Sequence, residues 1–313
     1  MKLKSYSKYI FGLSLLIGAT GLVSCSDEEK LTPSESISSF FMVDPNDNSP
    51  EATLRRDFFE KTGMHLLFND TLKVYTDEFG IDRIETVGFE WNITSDGEED
   101  VSFDLLQSTE ERKKATEAVL SYFIPYINVE GGQFKPYSIF LCTNIYKVDN
   151  STYRYGKASF LSSWRCFGIN VQNWLDAEDA TEARTAGLLL LKDLANTKLK
   201  TSSPELADFF AVCEKEYDEV YITNLYPEWM DDQDIEIIYE AGFLRYYADY
   251  YGEADYDEFL SEKNDLASFM TVVFENDEAG FHEQWADYPK IIQKYDLLRA
   301  AVSDLGINFN AVK

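Results

Sequence analysis

His282 and Glu283 stand side by side in FHEQWAD, residues 281 to 287, in a stretch with helical spacing. A histidine followed by a glutamate is half of the HExxH pattern. In that pattern two histidines one helical turn apart hold Zn²⁺ through neutral imidazoles, and the glutamate between them activates the metal-bound water. Four residues after His282 the chain has Ala286, so one ligand is missing. The only other histidine is His65, in the apolar run GMHLLFND, which reads as a strand. Nothing in the spacing brings the two together, and the expectation for both is a surface or half-buried structural histidine.

The other reactive side chains are equally scattered. Beyond Cys25 the chain holds Cys142, Cys166 and Cys213, each in an apolar stretch and none in a CxxC pair. An odd number argues against a disulfide framework and the spacing against a thiolate metal site, so all three are expected as buried small hydrophobes. A cysteine nucleophile needs a histidine beside it, and the chain offers only two. The 56 acidic residues leave a carboxylate-only hydrolysis open, without singling out a pair. A formal charge of −28 excludes nucleic acid as a partner, since a polyanion demands clustered Lys and Arg. Such acidity suits an exposed, soluble surface protein.

The N-terminus bears on location. Lys2, Lys4 and Lys8 precede the apolar run IFGLSLLIGATGLV, and Leu22-Val23-Ser24-Cys25 follows at once, which resembles a bacterial lipobox. The resemblance implies a signal peptide over residues 1–24 and lipidation of Cys25, an anchor that needs no spanning helix. Residues 25–48 read as an acidic and polar tether. Asp27, Glu28 and Glu29 at its start resemble the signal that sends lipoproteins of Gram-negative bacteria to the outer face of the outer membrane.

Residues 49–313 read as a single α+β domain without internal repeats, sheet-rich over about 49–175 and helical from about 176 onward. ATLRRDFFEKTG predicts an amphipathic helix stopped at Gly63, followed by the strand MHLLFN. LKVYTDEF and DRIETVGFEWNIT alternate as strands, with a turn at Asp96-Gly97 before VSFDLL. Ser108 to Glu111 has the form of a capping box for a helix running toward Pro125. FKPYSIFLCTNIYK, YRYGKASFLSS and RCFGINVQNW predict three strands of a small mixed sheet. Helices follow over TEARTAGLLLLKDLANT, over SPELADFFAVCEKEYDEV with Ser203 as N-cap, over IEIIYEAGFLRYYADYYG and DEFLSEKNDLASFMTVVFEN, and over the segment from Phe281 to Gly306. The tyrosines of RYYADYY fit helical core spacing better than an exposed sugar platform.

Three of these segments, FFEKTGMHLLFND, FIPYINVEGGQFKPYSIFLC and GFLRYYA, carried in this order behind a lipobox, resemble the substrate import-associated zinc metallohydrolase lipoproteins, a zinc-binding metallopeptidase family. The resemblance spans about residues 50–310 and implies a zincin-like fold. It places HExxH on the helix AGLLLLKDLANT, with Leu189 and Asp193 at the histidine positions and Leu190 at the glutamate. The third-ligand segment corresponds to Asn264-Asp265-Leu266-Ala267-Ser268, with Asn264 where the ligand carboxylate belongs. A degenerate member is therefore expected: no cofactor, no catalytic residue, the leucine run turned into core, and FHEQWAD a coincidence. The implied role is that of a non-catalytic accessory or binding component of nutrient import, working beside a TonB-dependent transporter and its lid lipoprotein and holding a peptide or glycan. An active hydrolase with another site, or an interaction lipoprotein of unrelated α+β fold, are the alternatives.

Overall fold

The computed structural model describes residues 40–77, 79–88, 101–127, 135–149, 154–163, 165–213, 235–244 and 261–310. Cys25, the Asp96-Gly97 turn and the RYYADYY run lie outside them. The main body runs from Phe41 onward.

Its first helix, α1 (Pro50–Thr62), is defined by local chemistry at both ends. The Ser49 hydroxyl accepts from the Ala52 N–H, Pro50 occupies the first turn where no donor is needed, and Gly63 closes the helix at φ 69°, a left-handed position that favours glycine. Strand β1 (His65–Leu67) follows at once, and β2 (Thr71–Thr76) pairs with β3 (Asp82–Thr86) as a separate hairpin. After β4 (Val101–Leu105) the predicted capping box is present. Ser108 accepts from the Glu111 N–H, and the Glu111 carboxylate accepts from the Ser108 N–H, opening α2 (Thr109–Tyr122).

The sheet is organised on β5 (Ser138–Asp149). Its first half lies between β1 and β8 (Cys166–Asn170), both parallel to it. Its second half lies between β4 and β6 (Arg154–Lys157), both antiparallel. Between Asp104 and Ser102 the register against β5 slips, and Asn144 takes up the extra residue at φ 50° while its amide donates to the Asp104 carboxylate at 2.8 Å. YRYGKASFLSS, expected as one strand, is two. The chain leaves β5 after β6 and joins β8 as the edge strand β7 (Phe160–Ser162). The exchange is visible in the backbone: Ala158 N–H still bonds to Ile145 on β5, while Ser159 C=O already receives Asn170 N–H from β8. β8 also ends sooner than expected, because Trp174 turns inward in the short helix α3 (Gln172–Asp176) and donates to the Ala183 carbonyl at 2.8 Å.

The helical half begins with α4 (Ala180–Lys198), N-capped by Asp179. Ser203 holds the N-cap position with Pro204 in the first turn, as the sequence predicts, but its hydroxyl makes no capping bond and accepts from Lys200 N–H instead; the first turn is a 3₁₀ segment, Pro204–Leu206, before α5 (Ala207–Ala211). Helices α6 (Ile235–Ala241) and α7 (Glu262–Glu275) come next. The last predicted helix is broken into α8 (Glu278–Gln284) and α9 (Pro289–Asp304), since Pro289 has no N–H to continue the ladder and instead starts a new first turn.

One continuous core joins the sheet residues Leu66, Ile139 and Ile169 to the helices. α4 packs against α2 on one side and α7 on the other. At Gly187 the approach to α2 is so close that a Cβ would stand 2.3 Å from the Tyr122 carbonyl oxygen, so any larger residue must push the helices apart. The architecture is α+β, with a small mixed sheet followed by a helical C-terminal half. The leucine run is only partly core: Leu190 and Leu191 are 5% and 0% exposed and Leu188 is half-buried, but Leu189 is 39% exposed. Successive helical residues are about 100° apart, and four in a row cannot all face one neighbour.

Truncating Leu190 to Ala is expected to cost about 2–5 kcal/mol, whereas Leu189→Ala stays within about 0.5 kcal/mol. Urea unfolding of the two variants measures the difference directly, and equal losses refute this orientation of α4.

Candidate functional site

The segments that the resemblance assigns to metal sit on α4 and α7, which are in contact. Leu189 and Asp193 are one turn apart on α4, on the same face. Leu189 is an exposed hydrocarbon, and Asp193, half-buried, accepts a hydrogen bond from the Ser159 hydroxyl beside the edge strand β7. Leu190 points into the core. Asn264 lies in the first turn of α7, where the Ser261 hydroxyl accepts from its N–H at 3.2 Å and its carbonyl receives the Ser268 hydroxyl at 3.1 Å. Neither Asp193 nor Asp265 belongs to any group of three or more potential His, Cys, Asp or Glu ligands among the described residues.

Asp265 serves another purpose. Only 2% exposed, it binds the fully buried Lys294 ammonium of α9 at 2.6 Å. The same ammonium donates to the Gly242 carbonyl at 3.0 Å and lies 4.4 Å from the Phe243 ring, 4.7 Å from Phe269 and 5.0 Å from Phe209. Aromatic faces attract a desolvated cation, so the lysine is held by a carboxylate, a carbonyl and three ring faces together. Gly242 can present its carbonyl here because it has φ +99° and no side chain; a Cβ would stand 2.8 Å from the Cys213 sulfur. At the start of α7, then, the buried carboxylate is already neutralised by a lysine ammonium.

The three cysteines are free and buried, as expected. Burial pushes the Cys142 thiol far up and the Cys166 thiol to about 12, which removes the thiolate that a nucleophile or metal ligand requires. The Cys213 thiol donates to the Ala241 carbonyl at 3.0 Å.

The two histidines have different surroundings. His65 on β1 is half-buried, stacks on Phe59 at 4.6 Å and approaches Tyr137 at 4.9 Å and Phe41 at 5.7 Å. The Phe41, Phe59 and His65 rings, with Val43 and the Arg55 side chain, line a groove of about 310 Å³. Arg55 is held there by bonds to the Leu66 and Phe41 carbonyls at 2.8 and 3.3 Å. Phe59 and Tyr137 remain 45% and 40% exposed, so part of the aromatic surface faces solvent. Burial first, and the Arg55 charge second, lower the His65 pKa.

His282 lies on α8 with its Nε2 at 2.7 Å from the Asp296 carboxylate of α9. Glu278, one turn before it on α8, completes a group of three ligand atoms all within 4.8 Å of one another. HExxH spacing runs forward from His282 and meets Ala286. The usable spacing runs backward, Glu278 to His282, and was legible in EAGFHEQ; the third partner comes from the next helix and had no local signal.

Two consequences are measurable. Asp265→Asn removes the carboxylate charge from beside a buried ammonium and is expected to destabilise by about 3 kcal/mol or more, while the double change of Asp265 to Leu and Lys294 to Met recovers most of the loss. Chemical denaturation of the single and double variants tests the pair, and a mild single variant refutes it. For His65, the unfolded ring titrates near 6.5 and the folded one below that, so the unfolded state binds more protons in between. Stability is full above about pH 6.5 and falls as the pH drops toward the folded value. His65→Phe should flatten that slope in unfolding curves measured from pH 5 to pH 7.

No family model, no curated protein and no solved structure matches the chain.

Proposed function

We propose that the chain is an outer-membrane lipoprotein, tethered through Cys25 and facing the cell exterior, that binds a peptide or glycan without cleaving it beside a TonB-dependent transporter and its lid lipoprotein. In this reading the α+β body is zincin-like, and α4 stands where an active relative carries its metal helix. The supporting observation is what occupies the three ligand positions on α4 and α7. Leu189 is an exposed hydrocarbon, Asp193 is taken by the Ser159 hydroxyl and Asn264 is an amide, at the positions where a zinc hydrolase needs three ligands and leaves a fourth place to water.

A binding role needs a surface instead of a reactive centre. The groove beside His65 offers partly exposed aromatic faces next to an arginine, chemistry suited to stacking on a sugar ring or a planar peptide group. No described helix is long and apolar enough to cross a membrane. Attachment in this reading comes from the acyl chains on Cys25 alone.

The test is performed on intact cells. Wild-type chain should incorporate labelled fatty acid and be cleaved by added protease. Cys25→Ala should lose the label, and changing Asp27, Glu28 and Glu29 to Ala should withdraw the protein from protease. Labelling of Cys25→Ala at wild-type level ends the lipoprotein reading, and peptide hydrolysis by the purified chain ends the non-catalytic one.

A further inference from the structure

We propose that Glu278, His282 and Asp296 form a surface site for a divalent transition-metal ion of the zinc class. The site is separate from the α4–α7 contact and does not depend on the import reading.

The three side chains come from two packed elements. Glu278 and His282 are one turn apart on α8, and Asp296 projects from α9 to within 2.7 Å of the His282 Nε2. Their ligand atoms lie within 4.8 Å of one another. A tetrahedral zinc ion with bonds near 2.0–2.2 Å separates its ligand atoms by about 3.3 Å, so side-chain rotation that opens the His282–Asp296 pair slightly and brings Glu278 in completes the set. The two carboxylates are free to rotate, since their side chains are 56% and 48% exposed.

An independent observation points to a missing occupant. Tyr295, adjacent to Asp296 and fully buried, stacks on Phe281 at 4.0 Å, and its hydroxyl is shielded from solvent without a hydrogen-bond partner. Arg299, Glu278 and Asp296 are the charged groups around that hydroxyl, Arg299 near enough to be a loose donor to it, and the ring lies 5.9 Å from the His282 ring. The hydroxyl therefore lies beside the cluster and Arg299, without a well-formed hydrogen bond to any of them. Buried polar atoms are rarely left unsatisfied, and a metal-bound water in the fourth position provides the partner.

The interactions that an ion must displace are weak. Glu278 meets Arg299 at 3.4 Å, a long contact, and the Arg299 guanidinium also rests on the Phe309 ring at 4.2 Å, where it stays when Glu278 turns away. The His282–Asp296 contact is partly exposed, and such contacts contribute little net stability. Glu278 and Asp296 also border a surface recess of about 790 Å³, which gives an ion and its waters access. One imidazole with two carboxylates favours Zn²⁺, Co²⁺, Ni²⁺ or Cu²⁺ over Mg²⁺ and Ca²⁺, which prefer sets made of oxygen alone.

The probe is Co²⁺ added to the whole chain, followed by its visible absorption, then displaced with Zn²⁺. One equivalent should bind and be bleached by zinc. His282→Ala and Asp296→Asn should each weaken binding more than tenfold, with Glu278→Gln also weakened and His65→Ala unchanged. Asp296→Asn and Glu278→Gln keep size and shape, so circular dichroism should show them folded and their result stands if His282→Ala misfolds. Absence of binding at millimolar Zn²⁺, binding indifferent to all three variants, or equal binding of Mg²⁺ overturns the site. Zinc bound here without peptide hydrolysis leaves the non-catalytic reading in place. Hydrolysis abolished by His282→Ala overturns that reading and keeps the site.

Discussion

A lysine ammonium cannot be left bare in a protein interior, and the arrangement of the helical half follows from where Lys294 finds its partners. The carboxylate is on α7, the carbonyl is on the turn after α6, and the aromatic faces come from α5, α7 and the residue after that turn. Sliding α9 by one residue along α7 rotates the ammonium out of this pocket and into hydrocarbon, at a cost of several kcal/mol. The pair therefore contributes register more than net stability. Such specificity is what the surrounding apolar surfaces lack, because Phe and Leu faces pack acceptably in several alignments. Gly242 belongs to the same constraint, since only a residue without Cβ turns its carbonyl toward the ammonium so close to Cys213.

The sheet half is constrained by β5 in a different way. A strand of twelve residues with neighbours on both sides must satisfy its backbone groups along its length, and no single partner is long enough to do so. Four shorter strands divide the task, two parallel to the first half and two antiparallel to the second. The bulge at Asn144 lies where the antiparallel pairing with β4 slips register. Because β7 is an edge strand beside β8 and Ser159 precedes it, the hydroxyl that reaches Asp193 is placed by this change of partners. A residue marked by the resemblance as a lost histidine is thus tied to the sheet edge.

What was legible in the sequence was local. The stop at Gly63, the capping box at Ser108 and the apolar run of β5 each depend on residues within a few positions of one another, and each is present as read. The division of YRYGKASFLSS was not legible, since it depends on β5 and β8 competing for the same chain. Leu189 shows the same limit at a finer scale. A run of four leucines announces burial, but which of them faces solvent is decided by where α2 and α7 stand. Asp265 stands in the sequence beside Asn264 in the third-ligand segment; its pairing with Lys294, in the next helix but one, has no signature in spacing.

The two histidines carry this distinction into function. His65 is held by rings from three separated segments and is best understood as part of an aromatic surface, with its proton affinity lowered by burial. His282 stands on a short helix whose outward face holds a carboxylate one turn away and meets a second carboxylate from α9. The HExxH motif requires both histidines on one helix, because a peptidase must hold its metal rigidly beneath a cleft. A peripheral ion has no such requirement. Ligands from two packed helices suffice, and binding there would pin α8 to α9 at the break that Pro289 introduces. A metal at this position is therefore compatible with a chain whose α4 sends Leu190 into the core and whose α7 and α9 share a buried ion pair, since the ion would sit on the exposed faces of α8 and α9 and the pair lies in the interior of the domain.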